Sequence, residues 1–362
     1  MADEKTCGWL MDNAGAPIRH RVARELLGDA SAAKKIEGEL FDDTSVRYWL
    51  EVLKPAKPPQ RRSMAHGGFD FCFENAMLKL IQLGMHAKMR CVREAVGYYT
   101  DIIKKYAGVK PARNTEWYSG FDLIIISNIL ARAEADFNPA TVFLLDSLDE
   151  MHRFTLKGKY DIYYSEREKA ALKGVPKIWK DKKFIRNEII REDGFCYPFI
   201  YDLIGLGTLY KLNDQTVASK ADAVVGHITS DAFNSATADG YGILDFGAGK
   251  YYSQGWDPKY PGWFDAADYL ENCDASKMLF FAQYISKYPA ACKTKWYGNL
   301  LTGLEKYRIG AERGAAIYKF PAGWLKETKG YAVLGSHMSF GENRKKKNWR
   351  EIESTFYMQS IL

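Results

Sequence analysis

Apolar positions along this chain recur mostly at three- and four-residue spacing, the period of one helix face. Ile18, Val22, Ala23 and Leu26 form one such stripe, with Arg19, Arg21, Arg24 and Glu25 outside it. Pro17 stands at its start and Gly28 just past its end, the asymmetry expected of a helix. A second helix, 46–53, is predicted behind the capping pair Asp43-Thr44, and the two together make a helical-repeat hairpin. The segment 54–62, with three prolines and four basic residues, reads as a linker or exposed loop. Beyond it, the spacing predicts helices over 71–84, 88–106, 121–133, 139–154, 198–210, 214–229, 275–288, 296–309 and 349–361.

Strand signals are few. Residues 160–164 alternate, but the run is short and isolated, and no strand–helix–strand rhythm appears. The helices fall into pairs joined by turns rich in Gly, Pro or aromatics. The expected fold is therefore all-α: an (α/α) toroid of antiparallel helical hairpins over 61–362 with a central cavity. A short N-terminal helical-repeat hairpin with its Pro-rich linker occupies 1–60. One long stretch, 238–263, lacks helical periodicity and holds six glycines, four tyrosines and two tryptophans. Long structureless loops are usually functional or disordered, and this aromatic density argues against disorder, so a packed loop over a cavity mouth is expected.

Composition narrows the function classes. The formal charge of +6 over 362 residues is too mild to imply a nucleic-acid partner. No apolar run reaches the ~18 residues of a membrane helix, so no integral membrane segment is expected. The acidic start, 1–5, leads into no apolar stretch of a secretory signal. The six cysteines show no CxxC pair, and the expected location is a reducing cytoplasm. Aromatic residues reach 14%, which points to an aromatic-lined cavity and a small-molecule substrate.

Two groups of residues suggest chemistry. In His66-Gly67-Gly68-Phe69-Asp70, the glycines place His66 and Asp70 in a turn before a helix, and Glu74 follows Asp70 by one helical turn. Two carboxyls forced together in an apolar site would leave one protonated at neutral pH. The bland counterpart is a capping Asp with an exposed Glu. In the aromatic loop, Asp245 lies between Leu244 and Phe246, where desolvation would raise its pKa and make it a general acid. Against this, Asp245 and Asp257 could simply bond loop amides. Trp117, Tyr241, Tyr252, Trp256 and Trp263 are the aromatics expected to contact substrate, with Glu74, Asp257 and Glu342 as polar partners. The sequence GAGK at 247–250 lacks phosphate-loop spacing, and no GxSxG or HExxH occurs.

Three segments carry a family resemblance: Trp9-Leu10 with 18–28; His66 to Asp70 leading into Glu74-Asn75; and Gly335-Ser336-His337-Met338 with Gly341-Glu342-Asn343-Arg344 and 353–356. They resemble bacterial terpenoid cyclase-like proteins, whose α/α toroid is shared with squalene–hopene cyclases and protein prenyltransferase beta subunits. The resemblance implies the toroid, an apolar cavity and cyclase-like chemistry. The DxDD acid cluster of squalene–hopene cyclases is absent, as is a DDxxD diphosphate site. Glu271, Cys273 and His337 resemble the zinc ligands of prenyltransferase beta subunits, with Glu in place of Asp, so zinc is a conditional expectation. In the closing segment an Arg344–Glu342 pair would order the loop that carries His337.

The expected function is an enzyme acting on an apolar or aromatic small molecule by acid–base isomerisation, cyclisation or lyase chemistry. Asp70 or Asp245 would donate the proton, and His66 or His337 would act as base or orienter. The rivals are a carbohydrate-active toroid resembling polysaccharide lyases and a non-catalytic helical-repeat scaffold.

Overall fold

A computed structural model describes residues 3–54, 65–106, 117–135, 138–191, 194–253, 258–312 and 314–362. The chain opens with α1 (Glu4–Asn13), α2 (Ala16–Arg21, continued as a π turn over Val22–Leu26), α3 (Ala30–Asp42) and α4 (Thr44–Leu53). Then come α5 (Phe73–Gln82), α6 (Arg90–Tyr106), α7 (Trp117–Arg132), α8 (Asn138–Thr155) and α9 (Glu166–Ala170). Three short strands follow, β1 (Phe184–Ile185), β2 (Ile190–Arg191) and β3 (Gly194–Phe195), before α10 (Ile200–Leu206), α11 (Gln215–Ile228) and α12 (Asp231–Ala236). The hairpin β4 (Ile243–Asp245) and β5 (Tyr251–Ser253) precedes α13 (Ala266–Asn272), α14 (Ala275–Ile285), α15 (Pro289–Cys292) and α16 (Lys295–Glu305). A second hairpin, β6 (Arg308–Glu312) and β7 (Ala315–Tyr318), leads to α17 (Trp349–Ile361).

The protein is thus mostly helical, with small β elements. Helix starts follow their caps. Asp43 accepts from the backbone N–H of Ser45 and Val46, Asp214 from Thr216 and Val217, and Pro17 sits in the first turn of α2. Gly28 and Gly84 take left-handed φ values of 66° and 90° just past their helices.

One apolar cluster runs from Cys7 to Ile361. Every residue of α5 and α10 is buried, and α14 and α17 are buried over most of their length. These helices are neighbours in a series: α5 packs on α7, α7 on α10, α10 on α14 and α14 on α17. Helices α6 and α8 pack against α7, and α11 against α8, each with one face in solvent. Helix α4 lies on α5, and α1 lies on α17 and β7. Gly205 sets the α7–α10 approach, because a Cβ there would fall 2.8 Å from Cα of Asn128.

Several sequence expectations need correcting. The helix predicted over 296–309 ends at Glu305, and Arg308 to Glu312 form a strand. All five residues of β6 are exposed, so no alternation of buried and polar positions marked it. Residues 160–164 contribute only an isolated bridge, Tyr163 to Ile185. Part of the supposed loop 238–263 is the β4–β5 hairpin, which pairs with β1 in the sheet order β1-β4-β5. The 198–210 helix breaks into α10 and a 3-10 turn, Leu209–Leu212. The Pro-rich segment lies almost wholly outside the described residues, among which no helix is long and apolar enough to cross a membrane.

Candidate functional site

The first turn of α5 holds the Gly-Gly segment in place. Glu74 is fully buried, and its Oε1 accepts the N–H of Gly67 at 2.7 Å and lies 2.8 Å from Nδ1 of His66. Its Oε2 accepts the hydroxyl of Tyr201 from α10. Asn75 donates to the carbonyls of Gly67 and Phe69 and accepts from the N–H of Ala332. Gly67 adopts φ 153°, and Gly68 lies against the Tyr331 ring, where a Cβ would come within 3.4 Å. Helix α5 begins at Phe73, after Asp70, so Asp70 and Glu74 do not share a helix face. The turn directs them apart, Glu74 towards His66 and Tyr201, Asp70 towards Tyr48 and His337.

On the Asp70 side, the hydroxyl of Tyr48 on α4 donates to Oδ2 at 2.9 Å. Oδ1 lies 4.0 Å from Nε2 of His337, and neither atom has a hydrogen-bond partner among the described residues. His337 is 3% exposed. Trp49 meets its ring edge-on at 4.9 Å. Its Nδ1 lies 2.9 Å from Oε1 of Glu327, across a backbone bridge between the same two residues. Beneath them, the buried ammonium of Lys79 donates to Oε2 of Glu327 at 2.5 Å, to the Ser339 carbonyl at 2.7 Å and to the Ser339 hydroxyl at 2.9 Å.

Burial tends to raise the Glu327 pKa, but the bonds from His337, Lys79 and Ser339 outweigh it and hold it at about 2. Burial pulls the Lys79 pKa down, against the opposing pull of Glu327. An ionised Glu327 can only accept, so neutral His337 carries its proton on Nδ1. The Nε2 lone pair is then left facing Asp70. A 4.0 Å gap is too long for a direct bond, yet one oxygen seated off the axis can reach both atoms at about 2.8 Å.

Asp70, Glu327 and His337 line a cleft of about 460 Å³. Thr44, Ser45, Tyr48 and Trp49 come from α4, and Thr328, Lys329, Ser339, Glu342 and Arg344 from the closing segment. That segment is pinned from behind. Glu342 accepts from the N–H of Gly15 and Asn343 and pairs with Lys346 at 2.9 Å. Buried Glu353 of α17 accepts from the N–H of Phe340 and Glu342, and burial pushes its pKa up to about 7 despite Arg344 at 3.1 Å. The Arg–Glu pair of the loop is therefore Arg344 with Glu353, not with Glu342.

On the other side of the turn, Nδ1 of His66 faces Glu74, and its ring contacts Phe121, Tyr201 and Tyr331. Asp122 on α7 lies close enough for His66 and Glu74 to affect it, and burial raises its pKa to about 6.

The remaining sequence candidates lie elsewhere. Asp245 accepts from the N–H of Gly247 at 2.8 Å and the hydroxyl of Tyr164 at 3.3 Å, which closes the β4–β5 turn. Tyr241 lies under the ammonium of Lys182 and Tyr252 packs edge-on to Phe246. Trp263 is 7% exposed, stacks on Trp296 and donates to Asp231, so it belongs to the aromatic core and borders only a small depression. Trp117 opens α7, while Trp256 and Asp257 lie outside the described residues. The three expected zinc ligands are not brought together. Glu271 pairs with exposed Lys306, Cys273 is exposed at the end of α13, and His337 faces Glu327 and Asp70. Among the described residues, no three His, Cys, Asp or Glu side chains are grouped to hold a metal ion.

Tyr48, Trp49, Lys79, Glu327 and Tyr201 escaped the sequence reading. Lys79 had a legible signal, a lone charge inside the apolar run Met77-Leu78-Lys79-Leu80-Ile81. Glu327, Tyr48 and Tyr201 had none, because each reaches the site only through folding. No family model matches the chain, and no curated protein or solved structure does either.

Proposed function

We propose that this protein is an enzyme that moves protons to and from a hydroxylated small molecule in the Asp70–His337 cleft, by lyase or isomerase chemistry. The observation that carries the reading is the facing pair of buried atoms, Nε2 of His337 and Oδ1 of Asp70, neither with a partner among the described residues. Polar atoms are rarely left so unless a ligand completes them. His337, with Nδ1 bound to Glu327, is the base. Asp70 balances the imidazolium as it forms and orients a substrate hydroxyl. Its Oδ2 accepts from Tyr48, which suits a carboxylate more than a proton donor. The lining is polar, with Thr44, Ser45, Tyr48, Thr328 and Ser339 among its residues. Although the Tyr48, Thr328 and Ser339 hydroxyls already donate to Asp70, Ser336 and Glu327, such a lining suits a sugar-like substrate better than an apolar one, which favours the carbohydrate-active alternative.

We also read the helices as the α/α toroid expected from the sequence. The series of buried neighbours α5, α7, α10, α14 and α17, with α6, α8 and α11 as a less buried second series, supports this. Kinship with terpenoid cyclase-like proteins is part of the same proposal. The three segments behind it converge: Asp70 faces His337, and Arg21 lies 4.8 Å over the Phe356 ring.

The test is deuterium exchange. The protein is incubated in D₂O with a panel of polyols, sugars and sugar acids, and C–H exchange or product formation is followed by mass spectrometry. Exchange with the wild type that is lost in H337Q and D70N is expected. Turnover that survives H337Q would sink the reading.

A further inference from the structure

The charges lining the cleft are unevenly matched. Glu327 has Lys79, and Glu342 has Lys346 and two backbone amides. Lys329 is exposed and has no ion-pair partner among the described residues. Arg344 is held rigidly. Its guanidinium lies 3.7 Å over the Trp349 ring, and Nη2 donates to the Leu325 carbonyl at 2.9 Å. Oε2 of Glu353 is 3.1 Å from the same Nη2 but lies off its N–H direction, so no hydrogen bond forms. Nε–H and the two Nη1 hydrogens have no acceptor among the described residues, and the side chain remains 38% exposed at the cleft. Glu353, with its raised pKa, cancels the Arg344 charge only in part near neutrality.

We propose that the substrate carries a carboxylate, and that Arg344, assisted by Lys329, is the residue that binds it beside His337. This rests on the reading of the cleft as the active site. A guanidinium stacked on an indole and tied by one nitrogen is pre-organised, so little side-chain freedom is lost when its free N–H groups meet an oxyanion. Charge-assisted bonds of this kind are stronger than neutral ones and discriminate an acid from its uncharged analogue. An acid held there would also suit proton removal by His337. A carboxylate anchored by a cation places the neighbouring C–H within an electrostatic field that stabilises the negative charge left on the carbon.

Titration calorimetry with D-glucuronate and D-glucose is the test, since the two differ only in carboxylate against hydroxymethyl. The wild type is expected to bind glucuronate about tenfold or more tightly than glucose, and R344Q to bring the two within about twofold. R344K, which keeps the charge and stem, should fold and retain part of the preference, and circular dichroism checks both variants. Equal binding of the two sugars, no heat from either up to about 50 mM, or a full preference in R344Q or R344K overturns the proposal. H337Q separates this from the acid–base reading, because preference at equilibrium needs no proton transfer. Preference kept in H337Q supports the Arg344 assignment even where deuterium exchange shows the base to be wrong.

Discussion

Nε2 of His337 and Oδ1 of Asp70 face each other across 4.0 Å, and each lacks a partner among the described residues. The two come from segments far apart in the chain, the turn before α5 and the stretch between β7 and α17. What brings them together is the ion pair beneath, where Lys79 of α5 fastens Glu327 and Ser339 around the histidine.

The tautomer of His337 is the most direct prediction. Glu327 stays ionised down to about pH 2 and can only accept. Long-range ¹H–¹⁵N spectra should therefore show neutral His337 protonated on Nδ1. E327Q should change the tautomer balance, whereas an Nε2–H form in the wild type would contradict the assignment.

Loss of the pair should be catalytic rather than structural. H337Q and D70N are expected to lower turnover by about 10²–10⁴, the range for a general acid–base group. Melting temperatures measured on the same samples should move little in D70N, which keeps an oxygen for the Tyr48 hydroxyl, and somewhat more in H337Q, which also gives up the Nδ1 bond to Glu327.

Lys79 should behave in the opposite way. K79M removes the bonds that a buried ammonium donates to Glu327 and Ser339. Glu327 is 41% exposed and can be solvated in part, so the expected loss is about 1–3 kcal/mol. Chemical denaturation measures it, and K79M should also broaden the His337 signals as its support loosens.

Glu353 predicts a pH dependence. Its folded pKa, about 7, lies above the unfolded value of 4.5 because burial favours the neutral acid. The folded state then holds the extra proton, so this contribution is complete below about pH 4.5 and is lost as pH rises through 7. Its size is on the order of 3 kcal/mol. E353Q should flatten the stability–pH curve in that window, and an unchanged slope would refute the role.

Helix packing is tested by two glycines. G205A drives a methyl into Asn128 at the α7–α10 contact and should cost about 1–3 kcal/mol or more. G226A, exposed on α11 with nothing within 4 Å, should gain about 0.5–1 kcal/mol. Equal effects would mean that α7 and α10 are not in close contact.

The sequence by itself determined most of the helices, because apolar spacing, Asp43, Asp214 and Pro17 are local signals that act over a few residues. It also singled out His66, Asp70, Glu74, His337, Glu342 and Arg344, all of which take part in the cleft or its support. It could not pair them. The turn chemistry of Gly67 and Gly68 is readable, but which way it sends Asp70 depends on Glu74 being claimed by His66 and Tyr201. Nor could it weigh the aromatic loop correctly. Trp263 and Asp245 look much the same in sequence whether they line a cavity or close a core and a turn, and only packing against Trp296 and Gly247 decides. The exposed strand β6 left no periodic mark at all. Spacing along a chain fixes which face a side chain takes on its own element, whereas its charge state and its partner depend on what other elements bury against that face.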